Sequence, residues 1–186
     1  MSVLTPSQTV GPFFALVTSS ESRTTLVAEE HAGERILLEG TLRDGDGHPV
    51  PDGLLEIWQA DATGGYNHPD DPCRGEPMAA FTGFGRVHTD SSGTFGFETI
   101  KPGSVPDAHG QAQAPHVLVS VFARGLLSRL VTRVYFEDEP TNVRDPVLAC
   151  VSPERRSTLI AICRSRGHYR IDLALQGPRE TVFFDV

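Results

Sequence analysis

The sequence predicts an all-β protein, an antiparallel β-sandwich, and three observations carry that prediction. Apolar and β-branched residues recur in short runs, several alternating with polar residues, as in half-buried strands. Turn-forming strings such as Asp44-Gly45-Asp46-Gly47 and Asp90-Ser91-Ser92-Gly93 separate these runs. A clear helix start occurs once, at Ser152-Pro153-Glu154, where a capping hydroxyl precedes proline at the first helical position and an acid in the first turn.

In chain order, residues 1–15 form an irregular arm with prolines at 6 and 12 and Gly11. Phe13 and Phe14 are costly to leave in water, so the arm is pinned to the body or docked on another chain. Residues 18–33 are polar, with room for a short helix over 25–31. Strands are expected over 35–42 and 54–60, the second carrying the single tryptophan, Trp58. Residues 61–65 break that strand and present Tyr66, and a long loop with Pro69, Pro72 and Pro77 follows. Residues 85–89 and 94–100 flank the Asp90–Gly93 turn as a hairpin.

The strongest pair of strands runs over 114–136. In its first half His116, Leu118, Ser120 and Phe122 share one face, and Val117, Val119 and Val121 share the other. In its second half Arg133 and Tyr135 lie opposite Thr132 and Val134. A helix is expected over 152–164, then a long alternating strand over 169–175. An apolar tail over 181–185 is expected to pair with the sheet or a partner.

One domain spanning 1–186 accommodates all of this. The hydrophobic and charged fractions, 39% and 22%, are those of a soluble globular chain. A net charge of -8 argues against nucleic acid and anionic membranes as partners, yet leaves room for a small anion at a local basic group. Cys73, Cys150 and Cys163 are odd in number and lack metal-site spacing, so they read as reduced thiols of a cytoplasmic protein. No signal peptide or membrane-spanning run is evident.

Phosphate loops, nucleophile elbows and H-E-x-x-H strings are absent. What remains is Tyr66 on a loop, His116 at a strand start and Arg133 inside an apolar strand. Each has a structural reading: a half-buried phenol, a satisfied core histidine, and an arginine paired within the chain with Glu137 or Asp172.

The strings at 7–12 (SQTVGP), 55–61 (LEIWQAD), 65–66 (GY), 99–103 (TIKPG), 114–116 (APH), 133–136 (RVYF) and 180–185 (ETVFFD) resemble those of the intradiol ring-cleaving dioxygenases, in order and over nearly the whole chain. The resemblance implies a β-sandwich and a ferric iron held by two tyrosines and two histidines, because a hard cation takes phenolates and imidazoles. Tyr66 and His116 match the first tyrosine and the first histidine. Val105 stands at the second tyrosine position and Leu118 at the second histidine position, so the metal site reads as vestigial. The resemblance then implies a non-iron alpha subunit, inactive alone. Iron sits in a homologous beta subunit of a higher-order oligomer. There protocatechuate, 3,4-dihydroxybenzoate, is cleaved with dioxygen to 3-carboxy-cis,cis-muconate in aromatic catabolism, the beta-ketoadipate route. On the alpha side it maps substrate contacts onto Thr9, Gly11, Pro12 and Arg133; Phe13 replaces a tyrosine common after that arm motif. A guanidinium matches the substrate carboxylate in a bidentate way. Two alternatives are a metal-free sandwich acting as a binding module and a self-sufficient iron catechol dioxygenase.

Overall fold

Alternating burial decides where the strands lie. Val117, Val119 and Val121 are buried, while Leu118, Ser120 and Phe122 between them are half-buried, as the period of two requires. The computed structural model describes residues 6–11, 13–18, 21–27, 33–71 and 81–185. Its elements are α1 (Phe13–Thr18), β1 (Arg35–Arg43), β2 (Leu54–Trp58), β3 (Phe84–His88), β4 (Thr94–Ile100), β5 (Val105–Pro106), β6 (Ala112–Gln113), β7 (His116–Phe122), β8 (Leu130–Phe136), α2 (Pro146–Cys150), β9 (Ile160–Ser165), β10 (His168–Arg170) and β11 (Leu173–Ala174).

The all-β expectation holds. One layer is β3-β2-β7-β8, antiparallel throughout. The other is built on β1, which pairs antiparallel with β4 and parallel with β10 and β11. Strand β9 joins the layers, parallel to β8 and antiparallel to β10. The pairing is therefore mixed. The crossover from β8 through α2 to β9 reverses the chain twice and so delivers a parallel neighbour. Between the layers Leu55, Ile57, Val117, Val119, Val121, Val134 and Phe136 meet Ile36, Leu38, Leu42, Phe95, Phe97, Tyr169 and Ile171 in one core. Each such side chain contributes roughly 1.5–3 kcal/mol of burial.

Four expectations change. Thr25 and Val27 form single bridges to Glu98 and Phe81, and Leu26 and Val27 are buried, so the described start of the 25–31 helix is extended chain. The rest of that helix lies outside the described residues. The 152–164 helix is a 3-10 turn at Arg156–Leu159 followed by β9. Residues 160–163 gain two strand neighbours there, which outweighs the cap signal at Ser152. The capped helix is instead α2, where Asp145 accepts from Leu148 N at 2.7 Å and proline follows at the first helical position. The 169–175 strand is split, because Ile171 N bonds Glu39 O and Asp172 Oδ1 bonds Thr41 N as the chain shifts along β1. Finally, the Asp90–Gly93 turn does not close a hairpin: β3 pairs with β2 and β4 with β1, so this turn carries the chain between layers. The apolar tail does pair with the sheet, through Phe184 N to Val131 O at 2.8 Å. No helix among the described residues is long and apolar enough to cross a membrane.

Candidate functional site

Register on the outer face of the first layer assembles the site. Phe84, Trp58, Leu118 and Arg133 are cross-strand neighbours in one row across β3, β2, β7 and β8. Two residues further along, His116 stands opposite Tyr135. Neighbours in a row share a face, so sequence-distant side chains meet.

Two loops close over this row. After β2 the Asp61 carboxylate accepts from Thr63 N at 2.7 Å and Gly65 N at 3.1 Å, an Asx turn that ends the strand. Gly64 takes φ +91°, and a Cβ there would lie 2.1 Å from Ser104 O. Gly103 N donates to Asp61 O at 2.8 Å. Glycine at both places lets the loop carrying Tyr66 lie backbone to backbone on the loop leading to Val105. The Tyr66 ring then stacks on Trp58, centroids 5.9 Å apart and planes within 10°. Val105 is buried and paired with Gln113 in the β5–β6 hairpin. Gln113 Oε1 accepts from Arg133 Nη1 at 2.6 Å.

Arg133 dominates the electrostatics. Among the described residues it forms no ion pair. The two acids the sequence offers as partners bond elsewhere: Glu137 accepts from Cys163 N, and Asp172 pairs with Arg170 at 3.1 Å. Burial, then the Arg133 charge, lowers the His116 pKa to about 4, so its imidazole is neutral at pH 7. His116 Nδ1 lies 2.8 Å from Ala114 O, which only accepts; Nδ1 therefore carries the proton and Nε2 a lone pair. Burial raises the pKa values of Tyr66 and Tyr135 against the opposing pull of Arg133, leaving both as phenols. Tyr135 donates to Asp145 at 3.0 Å, and Asp145 also accepts from Ala114 N and Leu148 N.

These residues do not fit a ferric ion. Tyr66 and His116 are suitable donors, but Val105 and Leu118 have no donor atom, and the Arg133 cation faces the remaining pair. Among the described residues no group of three or more His, Cys, Asp or Glu side chains is placed to hold a metal.

The expected substrate contacts fall into two places. Thr9 Oγ1 accepts from Gly125 N at 2.8 Å and from Gly11 N at 3.4 Å, so the arm lies on the turn beyond Phe122. Leu118, beside Arg133, is about 13 Å of strand away from Phe122. Thr9 and Gly11 thus sit at one end of the β7–β8 hairpin, and Arg133 with Tyr66 and His116 nearer the other. Pro12 lies outside the described residues. Next in sequence to the Gly125 that holds Thr9 is Arg124, paired with Asp52 at 3.6 Å, and Arg129 lines a small cavity with Gln8 and Val10 of the arm. Sequence reasoning passed over Arg124 as part of a turn. It also passed over Gln113, whose only signal is a polar residue next to Ala114-Pro115-His116.

A family model described as Dioxygenase matches residues 9–177. The protocatechuate 3,4-dioxygenase alpha chain of Burkholderia cepacia is 43% identical, over 98% of this chain and 97% of the relative. The beta chain from the same organism is 38% identical over 80% of this chain and 67% of its own length. The dioxygenase domain of a carbohydrate-binding fusion protein from Streptomyces sp. SirexAA-E superposes with a TM-score of 0.65 at 28% identity, covering 84% of this chain and 88% of that one.

Proposed function

Because the chain belongs to the intradiol ring-cleaving dioxygenase family, we propose that it is the non-iron alpha subunit of a protocatechuate 3,4-dioxygenase. The observation that carries this is the pair of apolar side chains, Val105 and Leu118, at two of the four ligand positions that the family resemblance implies. An end-to-end match to an alpha chain, against a partial match to a beta chain, supports it.

Ferric iron in a beta partner supplies the activation of the catechol ring toward dioxygen. This chain supplies surroundings. Thr9, Gly11 and Pro12 in the arm complete the substrate pocket of the partner, and residues 1–15 are the interface segment of the single domain. We infer that Arg124, and not Arg133, makes the carboxylate contact; this is supported by Arg124 adjoining the glycine that holds Thr9 and by its ion pair with Asp52 being partly exposed and easily exchanged. A guanidinium there matches the protocatechuate carboxylate. The whole acts in the cytoplasm, in catabolism of aromatic acids.

Self-sufficient iron catechol cleavage is disfavoured by Val105, Leu118 and the Arg133 charge. A partnerless binding module is disfavoured by the apolar arm, where Phe13, Leu16 and Val17 are each more than 70% exposed. The test is metal analysis of the two chains after co-expression and separation. Iron is expected in the partner, with no stoichiometric iron and no visible tyrosinate charge-transfer band in this chain. One iron per copy of this chain overturns the reading.

A further inference from the structure

The remnant of the metal site carries more recognition chemistry than a merely abandoned site needs. Arg133 donates to Gln113 and lies within hydrogen-bonding reach of the Tyr135 hydroxyl, leaving other N–H donors unused, and has no carboxylate partner among the described residues. It is half-buried, so its charge is screened less than that of a surface arginine. The groups facing it, Tyr66, His116 and Tyr135, are all uncharged at pH 7, and the two carboxylates behind them are already engaged, Asp71 by Tyr66 N and Asp145 by Ala114 N, Tyr135 and Leu148 N. Among the described residues neither the Tyr66 hydroxyl nor His116 Nε2 has a hydrogen-bond partner. Beside this polar set lie Leu118, in register with Arg133, and the Trp58–Tyr66 stack. Trp58, Tyr66, Leu118 and Arg133 are all half-buried, open enough to meet a small molecule.

A guanidinium with no directly paired carboxylate among the described residues repels cations and can accept an anion. Its planar fork matches a carboxylate, and the aromatic and aliphatic flank matches an apolar ring better than a hydrated phosphate. We propose that Arg133, Tyr66, His116, Leu118 and Trp58 form an iron-free binding site for a small aromatic carboxylate. The carboxylate lies on Arg133, with Gln113 giving up its bond, and the ring lies against Leu118 and the Trp58–Tyr66 stack. His116 Nε2 is left to accept from a ring hydroxyl. This site is separate from the pocket at the arm and does not rest on the subunit reading, because every residue in it belongs to this chain.

The test is a ¹⁹F NMR titration with 4-fluorobenzoate, on the co-purified complex and on the full chain alone. Probe bound near ferric iron is broadened by the paramagnet, whereas probe at the remnant site gives a sharp bound resonance. One such resonance per chain is expected. Arg133→Gln should weaken it about 10- to 100-fold, the loss of a charged hydrogen bond. Arg133→Lys should restore part of it, and Tyr66→Phe should weaken it a few-fold. Leu118→Asp supplies an internal carboxylate next to Arg133 and should abolish binding, a check that holds even where Arg133→Gln fails to fold. The amide 4-fluorobenzamide should not compete. Absence of a sharp bound resonance, indifference to both Arg133→Gln and Leu118→Asp, or equal binding of the amide overturns the proposal.

Discussion

The two ends of the β7–β8 hairpin are built from opposite materials. At the His116 and Tyr135 end, polar groups turn inward. Asp145 is 1% exposed and accepts from Ala114 N, Tyr135 Oη and Leu148 N, so one carboxylate ties the strand start, the strand end and the cap of α2 together. At the Gly125 end the described part of the arm and α1 is held by Gly125 N to Thr9 Oγ1 and by Phe14 and Thr18 on His88, and Val10, Phe13, Leu16, Val17 and Leu127 are exposed. The first end is stable within the chain. The second buries its apolar surface only against something else. On the proposed reading the iron ligands at the His116 end can be lost without losing the fold, because Asp145 ties that end together within the chain.

The sharpest way to break this contrast is at Asp145. Asp145→Ala leaves three buried donors without an acceptor and should cost about 3–5 kcal/mol, lowering Tm by roughly 10 °C. Replacing Phe13, Leu16 and Val17 together with serine should move the Tm of the chain by little, within about 0.5 kcal/mol, while releasing it from its partner in gel filtration. If the arm variant unfolds and Asp145→Ala does not, the assignment of a self-supporting end and a dependent end is reversed.

His116 gives a pH signature to the buried end. Its folded pKa, about 4, lies below the unfolded value of 6.5. As pH falls from 6.5 to 4 the unfolded chain takes up a proton that the folded one refuses. Stability is therefore fully present above pH 6.5 and is lost through that window, by about 3 kcal/mol. His116→Asn keeps an N–H for Ala114 O and does not titrate. Denaturant unfolding at pH 7 and pH 4 should show the wild type losing about 3 kcal/mol more than the variant; equal losses would show His116 to be charged in the fold.

A smaller effect separates the two arginines. Arg124→Ala in the assembled enzyme should lower kcat/KM for protocatechuate about 10- to 100-fold at equal iron content, with catechol, which lacks the carboxylate, little affected. A larger selective loss from Arg133→Ala than from Arg124→Ala would return the substrate carboxylate to Arg133.

Much of this molecule is legible from local pattern. The strand over 94–100 matches β4 residue for residue, the pair expected over 114–136 is β7 and β8, and the valine face of β7 is the buried one. These follow from an alternation that each strand carries within itself. Tyr66 and His116 stand in the short strings that carry the family resemblance, and Val105 and Leu118 lie two residues beyond such strings; that they are remnants of a metal site is part of the proposal. The 152–164 region was misread because its capping signal is local, whereas the two strands that capture residues 160–163 are distant in sequence.

The amino-acid order alone determined that Val105 and Leu118 offer no donor for iron, because an apolar side chain lacks a lone pair in any fold. It also determined which face of each strand would be apolar. Tertiary structure alone decided which layer each strand joins, that Arg133 bonds Gln113 instead of Glu137 or Asp172, and that the arm reaches Gly125. Those outcomes depend on pairings across many residues, where register, loop closure and burial compete and no short string records the winner.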